Sequence, residues 1–363
     1  MRRETHLVNL AAVRTRLERV GFVDLKRLCK SILIAAGAED EIASIVSESL
    51  VEAEMSGVHS HGIIRLRPYI ESIRNKNLIP NAKPEVVKDN RTVVILDGNR
   101  GFGQFVASVA MGLAVERAKL YGLACVGARN LHHSGMLEFI TRKASSADMI
   151  GIAFNNTEPL MVPPGGNTKV VGNNPFSISV PSNSYPVALD MALSVVARGK
   201  IREALFEGRN IEPNWAVDRD GNPTTDPSEA MEGALLPVGA HKGFGMAFII
   251  DILAGVLTGA ETGSDVITWE AQPDSRWQSG LVTIAINPSH FLDIDVFKGK
   301  ISETVTKAKK AQRDKKIFVP GEDRRESYLE ALKNGVPISD KSKNELIGLS
   351  NELGIDTSYV FRN

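Results

Sequence analysis

The strongest constraint on this chain is its texture from Thr92 onward, where short apolar runs of strand length alternate with longer stretches of helical periodicity. Residues 93–96, Val-Val-Ile-Leu, read as a strand, 104–121 as an amphipathic helix and 124–128 as a second strand. Residues 136–147 continue as helix and 150–154 as a third strand. Further strands fall at 176–180, 187–190 and 281–286, with a long helix beginning near Gly243. This rhythm predicts an α/β layer structure.

The flanks read differently. Residues 23–55 carry two helical stripes, the second marked by Ile42, Ile45, Val46 and Leu50. The tail from Lys298 is highly charged and helical in pattern, broken at Pro320-Gly321. The expected division is a helical N-terminal part over 1–85, an α/β core over 86–300, and a helical tail over 301–363 that packs back on the first. Residues 80–84 are a linker candidate. A length of 363 residues accommodates these parts, at roughly 150 residues per domain.

Lys and Arg number 43, as do Asp and Glu, so the formal charge is zero and no net field exists to hold a polyanion. Nucleic acid and anionic membrane are therefore not expected partners. Two cysteines, Cys29 and Cys125, are too few for a disulfide scaffold or a cysteine zinc site, and a reducing cytoplasm is expected. The opening Met1-Arg2-Arg3-Glu4-Thr5-His6 is followed by Arg14, Arg16, Glu18 and Arg19, which does not read as a secretory signal. The longest apolar stretch, 244–260, is interrupted by Asp251 and falls short of the ~20 residues of a membrane span. A buried helix is expected there.

Gly98-Asn99-Arg100-Gly101-Phe102-Gly103 sits between a strand and a helix, but its spacing reverses the dinucleotide fingerprint. It reads as a tight turn. No Walker loop is present, so any nucleotide fold here is not of the Rossmann type. His241-Lys242-Gly243 is more informative: a lysine opening a long helix adds a point charge to a positive dipole end, which suits pyrophosphate, although a merely solvated lysine fits as well.

Of seven histidines, His59, His61, His132, His133 and His241 cluster at or beside glycine-containing loops, where an imidazole can serve acid/base chemistry. One reading takes His59-Ser60-His61 with His132 and His133 as metal ligands of a hydrolase. No carboxylate cluster of suitable spacing accompanies them. The other takes Ser60-His61 as an oriented proton carrier and Arg65 as a carboxylate clamp, four residues along one helical face.

Ser60-His61-Gly62-x-x-Arg65 with Tyr69 resembles the signature of the malate/L-lactate dehydrogenase family that is unrelated to Rossmann-type enzymes. Its relatives include sulfolactate, ureidoglycolate and diketogulonate dehydrogenases and a cyclic imino-acid reductase. Further matches run in order: Asp97-Gly98 with Gly101-x-Gly103-Gln104, His133-Ser134-Gly135, Pro163-Pro164-Gly165-Gly166, Gly172-Asn173-Asn174-Pro175, Leu189-Asp190-Met191, Lys242-Gly243-x-Gly245 and Pro320-Gly321-Glu322. The resemblance spans roughly residues 25–355.

The resemblance implies His61 as proton donor, Ser60 and Asp190 as its relay partners, and His133 as the alternative proton carrier. It implies Arg65 as carboxylate binder and Thr157 as a further substrate contact. Cofactor contacts would come from His133, Ser134, Gly135, Met136 and Leu137, from Asn173, Asn174 and Pro175, from His241, Lys242 and Gly243, and from Gly321, Arg324 and Arg325. The implied fold is a three-layer α/β core with a mixed sheet, in a homodimer whose subunits share the cleft. The implied reaction is hydride transfer between NAD or NADP and a 2-hydroxy or 2-oxo acid, with reduction of a cyclic imine as the alternative and a non-catalytic binding module as a remoter one. Met191-Ala192-Leu193-Ser194, His132 and Asp251 depart from common family choices at their positions.

Overall fold

A computed structural model describes residues 18–267, 278–311 and 316–361. The opening residues read above for a targeting signal lie, up to residue 17, outside the described residues.

The chain starts with a short strand, β1 (Glu18–Val20), then α1 (Phe22–Ala35), α2 (Asp40–Met55) and α3 (Leu66–Arg74). Leu25, Leu28, Cys29, Ile32 and Leu33 of α1 recur at helical spacing and are all fully buried. They meet Ile42, Val46 and Leu50 of α2 in one apolar cluster.

The central part contains β2 (Glu85–Asn90), β3 (Val93–Asp97), α4 (Gly103–Tyr121), β4 (Leu123–Leu131), α5 (Leu137–Ser145), β5 (Ile150–Asn155), β6 (Phe176–Val180) and β7 (Val187–Met191). Next come α6 (Arg198–Glu207), β8 (Ala216–Val217), α7 (Pro227–Glu232), β9 (Ala234–Leu235), α8 (His241–Ala254) and β10 (Ser279–Ile286). The main sheet has seven strands in the order β2-β3-β4-β10-β5-β6-β7. Only β3 and β4 pair in parallel, joined by the α4 crossover, and the other neighbours are antiparallel. The mixed sheet is therefore observed. β10 arrives late in sequence yet lies at the centre, between β4 and β5.

Val106, Ala110 and Met111 of α4 and Leu137, Ile140 and Ala144 of α5 bury one face of this sheet against Val94, Val126, Ala153 and Leu281. On the other face, α8 directs Ala247 and Ile250 into a cluster with Phe176 and Leu193. Three layers result. The chain closes with α9 (Ile294–Lys309), α10 (Glu322–Asn334), β11 (Val336–Ile338) and α11 (Asp340–Leu353). β11 pairs antiparallel with β1, and Ala331, Ile338, Leu346 and Leu349 join the apolar cluster of α1 and α2.

The apolar stretch expected as a buried helix departs from that reading. Met246, Phe248, Ile249 and Ile252 of α8 are exposed, as are Val256 and Leu257 beyond it. The helix is apolar on every side, and its own sheet covers only one of them.

Candidate active site

α2 ends at Met55, and residues His59–His61 form a single 3-10 turn. Gly62 is extended, and a second 3-10 turn, Ile63–Arg65, leads into α3. The extended glycine separates His61 from Arg65, so the two do not share a helical face. They are joined through Ser60 instead. The Ser60 hydroxyl lies 2.9 Å from His61 Nδ1, and the Ser60 carbonyl accepts from Arg65 Nε at 2.6 Å. A Cβ built on Gly199, in the first turn of α6, would lie 3.7 Å from Ser60 Cβ, so that helix borders the site.

The second imidazole comes from the loop after β4. His133 stacks on His61 with ring centroids 5.3 Å apart and an interplanar angle of 26°. Its Nδ1 lies 2.8 Å from the Tyr69 hydroxyl, which accepts from Gln104 Nε2 at 2.7 Å, leaving the phenol proton for the imidazole. Burial pushes the Tyr69 phenol up, so it stays protonated. The glycines of the 98–103 loop set this geometry as a turn: Gly101 N–H donates to Gly98 C=O, and His132 N–H to Gly101 C=O. At Gly103 a Cβ would fall 2.0 Å from the His132 carbonyl oxygen, so only glycine lets α4 approach the histidine loop.

Burial and then the Arg65 charge push His61 down to about 3, with Arg324 adding to the effect. His132 is likewise down to about 3, from burial and Arg65. Burial, followed by Arg65, His61 and His132, holds His133 well below the ordinary imidazole range. The free site thus holds neutral imidazoles beside a guanidinium. His61 and His133 both remain partly open to solvent.

The remaining loops converge by hydrogen bonding. Ser134 Oγ donates to Asn155 Oδ1 at 2.8 Å, and Asn155 N–H to the Pro175 carbonyl at 3.1 Å. Thr157 N–H donates to Asn174 Oδ1 and its hydroxyl to Asn173 Oδ1, at 2.9 and 3.0 Å. The Thr157 hydroxyl is thus engaged within this loop pair. Backbone bonds from Leu193 to Asn173, Val238 to Leu193 and Gly243 to Val238 tie in the start of α8. His241 and Lys242 stand exposed at that helix N-terminus. Met136 and Leu137 are buried in the core beneath α5, so these two expected cofactor contacts face inward. Asp251, one of the departures noted above, accepts from Asn156 Nδ2 and Gly263 N–H and anchors the same region.

Asp190 takes a different place from the expected relay. Its carboxylate accepts from Glu138 N–H in the first turn of α5 at 2.9 Å and pairs with Arg324 at 3.1 Å, not with Ser60 or His61. Arg324 also pairs with Glu138 at 2.9 Å and donates to the Asp190 carbonyl. An arginine far along the chain has therefore claimed both acids, and acts on His61 through its charge. Arg325 lies over the Tyr185 ring at 4.8 Å. Gly321 lines an adjacent cleft of about 310 Å³ with Ala188, Asp190 and Arg324. Glu138 and Asn155 had no sequence signal: each is an ordinary residue type whose role comes from partners distant in sequence.

For the metal reading, His59 Nδ1 is bonded to Glu54 and His61 Nδ1 to Ser60. Among the described residues, no group of three or more His, Cys, Asp or Glu side chains is arranged to hold a metal ion.

The sequence profile of the malate/L-lactate dehydrogenases matches residues 20–347. The chain belongs to that family. It is 39% identical over 334 residues to a malate/(S)-sulfolactate dehydrogenase of Methanothermus fervidus, covering 92% of this chain and 98% of that one. The solved sulfolactate dehydrogenase of Methanocaldococcus jannaschii superposes with a TM-score of 0.88 at 37% identity, covering 93% and 98% of the two chains. A delta1-piperideine-2-carboxylate reductase of Pseudomonas syringae superposes with a TM-score of 0.84 at 27% identity, covering 92% and 99%. As a member of this family, the chain is an oxidoreductase of the hydroxy-acid dehydrogenase type.

Proposed function

We propose that this family member interconverts a 2-hydroxy and a 2-oxo carboxylate with NAD or NADP, His61 moving the proton and Arg65 holding the carboxylate. The observation that carries this reading is the fixation of both groups on one residue: Ser60 engages His61 Nδ1 through its hydroxyl and Arg65 Nε through its carbonyl. With Nδ1 so engaged, Nε2 is the atom left to exchange a proton with a ligand. A guanidinium offers further N–H donors in one plane, which a carboxylate accepts bidentately.

In the oxidative direction neutral His61 is ready to take the hydroxyl proton as the general base. In reduction it must first become protonated. A substrate carboxylate beside Arg65 offsets part of the positive charge that depresses His61, so substrate binding itself favours proton uptake.

The residues fit a dinucleotide: exposed Lys242 at the N-terminus of α8 suits a pyrophosphate, and the 173–175 loop is bonded to the same region. When bound, the nicotinamide supplies or accepts the hydride at the substrate carbon. The apolar outer face of α8 supports a homodimer, and the unbridged Cys29 and Cys125 fit a reducing cytoplasm.

The test is a panel of 2-oxo acids, including pyruvate and oxaloacetate, assayed with NADH and NADPH. Turnover of at least one acid is expected with one or both cofactors; oxidation of neither on any acid contradicts the reading. The second reading, reduction of a cyclic imino acid, is favoured by the likeness to the piperideine-carboxylate reductase. A cyclic imine in the same panel separates the two.

A further inference from the structure

We propose that Glu54 is the positioning residue of this site, its buried carboxylate pinning both ends of the His59–Ile63 segment and so setting where His61 and Arg65 stand. Its part in turnover rests on the function proposed above; its part in holding the loop does not.

Glu54 lies in the last turn of α2 with a side chain only 4% exposed. One carboxylate oxygen accepts from His59 Nδ1 at 2.6 Å, and the other accepts from the Ile63 backbone N–H at 3.1 Å. Ser60, His61 and Gly62 lie between those two bonds. A Cβ on Gly62 would fall 2.0 Å from Glu54 Oε2, so the backbone rests directly on the carboxylate and a larger residue would displace it from its bonds. The four consecutive positions that matter, 59 to 62, are thus held on one acid from the preceding helix.

A carboxylate drawn from water into this position is costly unless compensated. His59 supplies the compensation. Its bond to Glu54 raises the imidazole above its ordinary value against the opposing effect of burial, and the charges of Glu54 and of Glu203 on α6 add to the rise. The other titratable group on which Glu54 acts is the Cys29 thiol of α1, which burial and then Glu54 push up, keeping it neutral. The His59 side chain is 58% exposed, so its charge follows the bulk pH. Loss of that proton at higher pH removes the charge assistance from the Glu54 bond and loosens the segment carrying His61.

The full-length protein with Glu54→Gln or His59→Gln tests this in two ways. A histidine NMR titration, which needs no turnover, should show His59 titrating above an ordinary imidazole in the wild type and falling back in Glu54→Gln. The resonance is assigned by its absence from His59→Gln. In steady-state reduction, Glu54→Gln should lose about 10- to 100-fold in kcat, as expected for a misplaced reacting group, with dinucleotide binding nearly unchanged. The alkaline limb contributed by His59 should shift to lower pH in Glu54→Gln and vanish in His59→Gln. A general loss of packing would lower Tm without moving that limb.

If Glu54→Gln does not fold, His59→Gln at its exposed position decides: a vanished limb supports the proposal and an unchanged profile overturns it. Ordinary titration of His59 in an active wild-type enzyme overturns it too. A wild type that reduces no 2-oxo acid and no cyclic imine defeats the proposed function instead, and leaves the titration to decide the clamp.

Discussion

At the scale of single residues, burial with a charge beside it keeps the imidazoles neutral. Burial, and then Arg65, lowers His61, His132 and His133, so the unliganded site holds neutral imidazoles. The consequence for rate has a definite sign. With the His61 value down at about 3, its protonated fraction in the free enzyme falls about tenfold per unit as pH rises through the neutral range. kcat/KM for reduction should therefore fall from pH 5 to pH 8, while kcat/KM for oxidation should lack that steady slope and fall only where His59 loses its proton. Opposite slopes, measured as pH profiles in both directions, would show that His61 is not the group exchanging the proton. Ser60, His61 and Arg65 were legible as candidates because they lie in a short spacing around Gly62, and His133 because it stands beside a loop glycine. Arg324 was legible only in part, since Asp190, one of the acids it pairs with, was expected to serve His61, and Glu138 was not legible at all.

At the scale of elements, two close approaches hold the catalytic loops: Gly62 on Glu54, and Gly103 under the His132–His133 backbone. Gly103→Ala would force its Cβ against the His132 carbonyl. The expected cost is about 1–3 kcal/mol or more, seen as a Tm lower by roughly 2–6 °C with reduced turnover. An unchanged Tm would mean that α4 does not seat the histidine loop. Most strands were legible because their apolar runs match sheet length, β6 at its full span. The central place of β10 was not, because strand order is set by pairing across 148 residues between Ser279 and Leu131 rather than by local pattern. The helical face once expected to join His61 and Arg65 failed for a local reason, the extended backbone at Gly62. Helical spacing means nothing across a break in the helix.

At the scale of the whole molecule, the N-terminal and C-terminal segments close on each other through β1–β11 and a common apolar cluster. The three-layer core between them presents an uncovered apolar strip along α8. Sequence could not separate a buried helix from one with an open apolar face, since both are apolar all round. If this strip carries the proposed homodimer, Phe248→Asp with Ile249→Asp should convert it to a monomer in light scattering, with loss of activity if the cleft is shared. A dimer that survives both substitutions would place its interface elsewhere.

The account as a whole depends on His61 carrying the proton in a site that binds its cofactor independently of it. The direct measurement is His61→Ala, assayed for reduction of the best 2-oxo acid and titrated with reduced dinucleotide by fluorescence. Turnover should fall by about 10²–10⁴, the usual worth of a general acid, with dinucleotide affinity nearly intact. Turnover surviving within about tenfold would contradict the account and pass the role to His133.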